Sequence, residues 1–292
     1  MAEQGRLTVL RVAFRPGVRG KFRPQMSTNS RTKHVLPIAA ITLVISAVCV
    51  VVALAIDWLP DPASREADRV DQLTWWTVWV SIAIFASVMG VMFYSVWRFR
   101  AKDGDESDGP PIHGHTMLEV VWTAIPTVLL AITAAWAAIV LAKNEEIAKA
   151  GQGPLRVEVL AQQFDWEFTY PDLGVTTGDL RVPVGRQVVL NLHAKEVIHS
   201  FFVYETRIKG DAVPGQENDL VRFTMKPEYA GRSFPIVCTE LCGAGHGIMR
   251  AQMVALTGAD YDKWAAEAKA SAAEQAAKAP AATSPSTTTT TP

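Results

Sequence analysis

Cys238-Thr239-Glu240-Leu241-Cys242-Gly243-Ala244-Gly245-His246-Gly247-Ile248-Met249, with Val197-Ile198-His199-Ser200-Phe201 upstream, decides what the second half of this 292-residue chain must fold into. The two strings offer two thiols, two imidazoles and one thioether. Soft sulfur combined with imidazole suits copper, and a weak axial Met is a feature of copper electron-transfer sites. A tetrahedral structural zinc would use Cys and His and leave Met249 without a role. An iron–sulfur cluster usually takes more thiolates. A single blue-copper ion takes one Cys and two His, so the second Cys is left over, whereas two thiolates can bridge two coppers. An electron shared across such a pair would change bond lengths little, which suits fast, reversible transfer. Gly243, Gly245 and Gly247 permit a tight loop with positive φ. Alone, His199 reads as a hydrogen-bonded sheet residue and Met249 as core filler; at these spacings together they read as ligands. A disulfide between Cys238 and Cys242 would close a very small loop and stabilise little.

Outward from these strings the chain is strand-like. Leu155–Ala161, Phe164–Tyr170, Gln187–Leu192, Leu220–Met225, Arg232–Val237 and Arg250–Leu256 are short and rich in Val, Phe, Tyr and Leu. Turn chemistry such as Pro171-Asp172-Leu173-Gly174 and Pro183-Val184-Gly185 separates them. About a hundred residues of this kind predict an antiparallel β-sandwich or small barrel over 154–257. Residues 258–278 turn helical, with Tyr261, Trp264 and Ala265 on one side. The Pro, Thr, Ser and Ala tail, 279–292, is expected to be disordered.

The first half has another character. Val35–Ile56, Trp76–Trp97 and Val120–Ala142 carry no charged side chain, and each is long enough for roughly 30 Å of hydrocarbon as a helix. Arg6, Arg11, Arg15, Arg19, Lys21, Arg23, Arg31 and Lys33 precede the first run, and Arg98, Arg100 and Lys102 follow the second, which puts both flanks in the cytoplasm. The expected order is a basic N-terminus with a signal peptide or extra membrane helix (1–56), an extracytoplasmic linker (57–75), a membrane helix (76–97), a cytoplasmic loop (98–117), a second membrane helix (118–142), a linker (143–153) and then the β-domain outside. Ala53-Leu54-Ala55 offers a signal-peptidase site, and either Met1 or Met26 can start the chain. Cys49, inside the first run, reads as inert. A formal net charge of −1 gives no reason to expect nucleic acid, a partner that would call for a concentrated basic face.

Both ligand strings match a family pattern, C-x-E-x-C-G-x-x-H-x-x-M with an upstream H-S-[FW], and at these residues the chain resembles subunit II of cytochrome c oxidase. The resemblance implies a transmembrane α-helical hairpin followed by an all-β cupredoxin-like Greek-key sandwich. It implies His199, Cys238, Cys242, His246 and Met249 as side-chain ligands of a dinuclear CuA centre, completed by the backbone carbonyl of Glu240. Gly114-His115-Thr116-Met117-Leu118-Glu119-Val120-Val121-Trp122-Thr123-Ala124-Ile125-Pro126 is similar to the opening of the family's second helix, where Glu119 aligns with an acid near a proton-uptake path. Lys209-Gly210-Asp211-Ala212-Val213-Pro214-Gly215 resembles a segment near the subunit I interface, where Glu240 and Asp211 would meet a magnesium or manganese ion; a tight turn with a solvated Asp211 explains it equally.

One departure concerns electron transfer. Phe164 stands where the family usually has the tryptophan that receives electrons from cytochrome c; Trp166 matches a second tryptophan, for which core packing is the simpler reading. Lys195, beside Glu196, stands where an acid is common. No C-x-x-C-H occurs, so the chain carries no covalent c-type haem of its own. The implied role is to accept electrons from cytochrome c, or a cytochrome c domain, and pass them to haem in subunit I of a membrane-embedded, proton-pumping oxidase. The donor's identity and the haem type of subunit I stay open. Alternatives are a membrane-tethered copper carrier or assembly protein, which needs an exchangeable site, and a quinol oxidase subunit II, which lacks the copper ligands.

Overall fold

Residues 28–101, 103–104, 113–147, 153–216 and 219–278 are described by the computed structural model of the chain. The basic residues before position 28, Met26, residues 102 and 105–112 of the expected cytoplasmic loop and the tail at 279–292 lie outside the described residues.

Three helices come first: α1 (Thr28–Ala55), α2 (Arg65–Phe99) and α3 (Thr116–Glu145). Each is long and apolar enough to cross a membrane. At 1.5 Å rise per residue α2 is roughly 50 Å long against roughly 30 Å of hydrocarbon, so part of it stands clear of a bilayer. Ser64 caps that end, accepting from the Ala67 N–H at 3.0 Å, and Glu66 and Asp68 in the first turn complement the helix dipole. On α2, Ala86, Gly90 and Tyr94 are buried at four-residue spacing. A side chain at Gly90 would run into Thr42 of α1, and His34 Nδ1 lies 2.6 Å from the Tyr94 hydroxyl. Small residues matter here because helices in lipid associate by close packing, not by leaving water.

Ten strands follow: β1 (Leu155–Gln162), β2 (Asp165–Tyr170), β3 (Val175–Thr177), β4 (Leu180–Pro183), β5 (Gln187–Ala194), β6 (His199–Val203), β7 (Ile208–Ala212), β8 (Asp219–Thr224), β9 (Ser233–Cys238) and β10 (Arg250–Leu256). They form two five-stranded sheets, ordered β3-β2-β1-β5-β8 and β4-β10-β9-β6-β7. Inward positions alternate along β1 and β10, so the two apolar faces meet in one core containing Trp166, Phe168, Phe201 and Phe223. This is the cupredoxin-like sandwich that the resemblance implies, with one correction to the antiparallel expectation. β1 runs parallel to β5, and β4 parallel to β10. The chain leaves the first sheet at β4 and returns to it at β5, and a strand that returns after visiting the other layer need not alternate in direction.

Helix α4 (Gly258–Lys278) closes one end. Its Tyr261 and Ala265 are buried, and Trp264 meets the Tyr170 ring edge-on at 5.1 Å, so the three residues expected on one side do share it. Residues 57–75, expected as a linker, are helical from Arg65 and locked to the β-domain. Ala63 exchanges backbone hydrogen bonds with Glu205 and Lys226 at 2.8 and 2.9 Å, and Glu66 accepts from the Thr224 N–H at 2.7 Å. Arg207 pairs with Asp71 at 2.8 Å, and Lys226 with Asp68 at 2.7 Å.

Candidate metal centre

The site sits where the β9–β10 connection meets the start of β6. β9 delivers Cys238 at its last position, β10 restarts at Arg250 opposite Val237, and Met249 lies just before it. β6 is hydrogen-bonded to β9 with Phe201 opposite Cys238, and the Thr239 N–H donates to the Ser200 carbonyl at 3.0 Å. His199, the first residue of β6, is thereby held against the loop.

Five donor atoms converge. Cys238 Sγ and Cys242 Sγ are 3.8 Å apart, and both cysteines are free thiols. His199 Nδ1 is 3.9 Å from Cys238 Sγ and 3.1 Å from Met249 Sδ. His246 Nδ1 lies 3.7 Å from Cys242 Sγ, which is itself 3.9 Å from Met249 Sδ. The Glu240 carbonyl oxygen is 3.3 Å from Cys238 Sγ. His199 and Met249 are fully buried and Cys242 is nearly so. An imidazole nitrogen against a thioether, with two thiols alongside, is a poor set of mutual hydrogen bonds, because sulfur is weak in either role. Lone pairs crowded into a dry pocket are what a soft cation satisfies, so the residues fit a copper site. Burial, followed by the neighbouring Cys238, raises the Cys242 pKa to about 11. Burial lowers that of His199, against the opposing pull of Glu196. Metal binding at Cys242 must therefore displace its thiol proton, while burial favours the neutral, coordinating form of the His199 imidazole.

Other expected residues fall in different places. Trp166 is fully buried, edge-on to Phe201 at 5.8 Å and to the His199 ring at 6.3 Å. Phe164 is partly buried, its ring lying over the ligand loop: a Cβ on Gly243 would come within 3.2 Å of it, and one on Gly245 would collide with it. The glycine expectation needs correcting accordingly. Gly243 alone of the three has positive φ, at 129°. Gly245 is there to let Phe164 approach, and Gly247 has open space. Gln163 was not anticipated: its side-chain amide donates to the Cys242 carbonyl at 2.6 Å.

Asp211 accepts from Ser200 Oγ at 2.6 Å and from Lys209 Nζ at 3.0 Å, and these two bonds, Ser200's first, hold its carboxyl below the usual range. Among the described residues, His199, Cys238 and Cys242 form the one group of three or more His, Cys, Asp or Glu side chains whose ligand atoms come together; neither Asp211 nor the Glu240 carboxylate joins it. Glu119 accepts from the His115 N–H at 3.2 Å, while His115 Nδ1 accepts from the Leu118 N–H at 3.3 Å, a reciprocal cap on α3.

Fold and donor set together define a cupredoxin-like domain, preceded by helices long and apolar enough to cross a membrane, whose clustered Cys, His and Met side chains suit a soft metal ion. Comparison with known proteins is consistent in both halves. Residues 52–139 match the family described as cytochrome C oxidase subunit II, transmembrane domain, and residues 160–256 its periplasmic domain. Cytochrome c oxidase subunit 2 of Synechocystis is 34% identical over 85% of this chain and 88% of its own. That of Thermostichus vulcanus is 34% identical over 70% of this chain and 77% of its own. The crystal structure of the periplasmic domain of subunit II of the Bradyrhizobium japonicum cytochrome oxidase covers 99% of its own chain and 43% of this one, at 23% identity and a TM-score of 0.39. The chain belongs to the cytochrome c oxidase subunit II family. Its β-domain accordingly lies outside the cytoplasm, anchored by apolar helices.

Proposed function

We propose that this chain is the electron-accepting subunit of a respiratory haem-copper oxidase and that it holds two copper ions. The ligands are His199 Nδ1, Cys238 Sγ, Cys242 Sγ, His246 Nδ1, Met249 Sδ and the carbonyl of Glu240. The observation that carries this is the pair of free thiols 3.8 Å apart, flanked by two imidazole nitrogens and a thioether. Copper bound there would supply one-electron chemistry, so that the subunit would accept electrons from cytochrome c or a cytochrome c domain and pass them to haem in subunit I, where oxygen is reduced to water with proton pumping.

The chain's own residues shape that exchange. Burial of His199 and Met249 keeps water from the ligands. The strand-and-loop frame fixes the donors in place, so little need move when charge changes. Ile198, Leu241 and Ile248, which adjoin ligands in sequence, are 46, 78 and 80% exposed, an apolar rim suited to protein partners. Glu240 and Asp211 would hold a magnesium or manganese ion shared with subunit I, and Glu119, in the first turn of α3, would stand beside a proton path. The packing of α1 on α2 supports a third membrane helix in a multi-pass anchor in the cell membrane.

The test uses the full chain, purified in detergent and loaded with copper. Elemental analysis should find two coppers per chain, and EPR one electron shared by two nuclei. A single-copper hyperfine pattern at full loading overturns the dinuclear assignment. Copper that mild chelators strip readily, with no shared-electron signal, would favour a copper carrier.

A further inference from the structure

We propose that Gln163 is a positioning residue for the metal-binding loop, and that the β1–β2 turn it occupies joins the two segments supplying the ligands. This builds on the copper reading above. Three contacts define the arrangement. Gln163 Nε2 donates to the Cys242 carbonyl at 2.6 Å, across 79 positions of sequence. The Gln163 backbone N–H donates to Glu196 Oε2 at 3.2 Å, three residues before His199. The Lys195 N–H donates to the Ala161 carbonyl at 3.0 Å, fixing the same segment to the end of β1. One turn therefore holds the lead-in to His199 with one hand and the Cys242 peptide with the other.

The loop needs such a hold. The peptide bearing the Cys242 carbonyl continues into Gly243 at φ 129°, a conformation open to glycine and one in which no side chain restrains the backbone. Left alone, that segment is the easiest part of the loop to shift, and its movement would carry the Cys242 thiol with it. The Gln163 amide fixes the segment from outside, and the Phe164 ring, close above Gly243 and Gly245, removes the space into which it would move. Neither residue is a ligand.

Two variants of the full chain in detergent test this: Gln163→Ala, and Gln163→Glu, which keeps the size but not the donor. The control is Gln162→Ala, which removes contacts to Glu167 and Lys195 on the same turn without touching the loop. Maleimide labelling of copper-free protein, resolved by peptide mass spectrometry, should show Cys242 reacting about fivefold faster in both Gln163 variants, the factor that one typical hydrogen bond represents. After copper loading their EPR hyperfine pattern should change and the unfolding midpoint should fall by no more than about 4–8 °C, the shift that one such hydrogen bond represents, whereas the control's labelling stays at the parental value. Parental labelling and spectra in both variants would overturn the proposal. So would faster labelling that appears equally in Gln162→Ala or only alongside a midpoint lowered by more than that. If the parent chain never shows a shared-electron signal but the labelling difference persists, the copper reading fails and the positioning role stands.

Discussion

Replacing Gly245 by Ala isolates the contact between the ligand loop and Phe164. A Cβ there would collide with Cγ and Cδ2 of the Phe164 ring and come within 2.9 Å of Cδ1, with no other residue among its nearest neighbours. Cγ is the root of the ring, so a rotation of the tip cannot relieve the clash. Phe164 packs against the buried core, so a shift of the whole side chain is also resisted. Gly245 lacks positive φ, which leaves the collision as the expected source of strain. Overpacking of this kind costs about 1–3 kcal/mol. In a β-domain of roughly a hundred residues, each kcal/mol moves the thermal midpoint by about 4–8 °C. Gly245→Ala should thus lower the near-UV circular-dichroism midpoint of the full chain in detergent by at least about 4 °C. Gly247→Ala, with open space and ordinary φ, should be neutral or stabilise by up to about 1 kcal/mol. In a Phe164→Ala background the Gly245 penalty should nearly vanish, a coupling of at least about 1 kcal/mol. An equal penalty in both backgrounds, or an equal loss in Gly247→Ala, would refute the assignment of Gly245 to Phe164's approach.

Cys242→Ser in the copper-loaded chain should abolish the shared-electron EPR signal; an unchanged spectrum counts against bridging thiolates. Arg207→Ala leaves Asp71 without its partner in a pair whose side chains are only 7 and 16% exposed, and should cost about 3 kcal/mol in thermal or denaturant unfolding. Part of that loss should return on adding Asp71→Asn, and an unaffected midpoint in Arg207→Ala would remove this ion pair from the docking of the β-domain on α2. Burial raises the pKa of Tyr261 to about 12 and that of Tyr170 further. Both exceed the unfolded value of about 10, so their contribution is complete below about pH 10 and is lost as pH climbs through the folded values. Tyr170→Phe loses bonds to the Arg181 N–H and carbonyl at neutral pH, yet should flatten the fall in midpoint between about pH 10 and 12; an unchanged alkaline slope would contradict this.

The ligand set was legible in sequence because its chemistry is concentrated: four of five side chains fall within twelve residues, and no structural role needs that mixture of Cys, His and Met. The six longer strands were legible through their apolar content. β6 and β7 were not, although β6 carries His199. Lys209-Gly210-Asp211 reads locally as a turn, and becomes strand because Gly210 and Asp211 pair with Phe201 and Ser200. Gln163 was invisible for another reason. Its side chain has no chemistry that advertises a role, and its partner is a backbone carbonyl far along the chain. The three glycines mislead when read alone, since close approach and positive φ leave the same residue behind.

The attachment of the β-domain to the membrane helices follows from the same long-range logic. A tether only through 143–153 would let the domain swivel about the end of α3, and the metal loop with it. The segment from Ala63 to Asp71 adds a second attachment: backbone hydrogen bonds at Ala63, a buried carboxylate at Glu66 accepting from the Thr224 N–H, and ion pairs from Asp68 and Asp71 to Lys226 and Arg207. Arg69 extends it to α3, donating to Asn144 at 2.7 Å. The start of α2, the end of α3 and the β-domain are thereby joined into one body, and the separate contacts at Ala63, Glu66, Asp68 and Asp71, added to the chain connection from α3, oppose swivelling about any single line. A subunit that must hold an electron-transfer loop at a fixed place over a partner in the membrane needs that rigidity, because binding energy alone cannot orient a domain free to turn. The charged residues of 57–75 thus serve orientation: the acids at the start of α2 act as sockets for the basic residues of the β-domain.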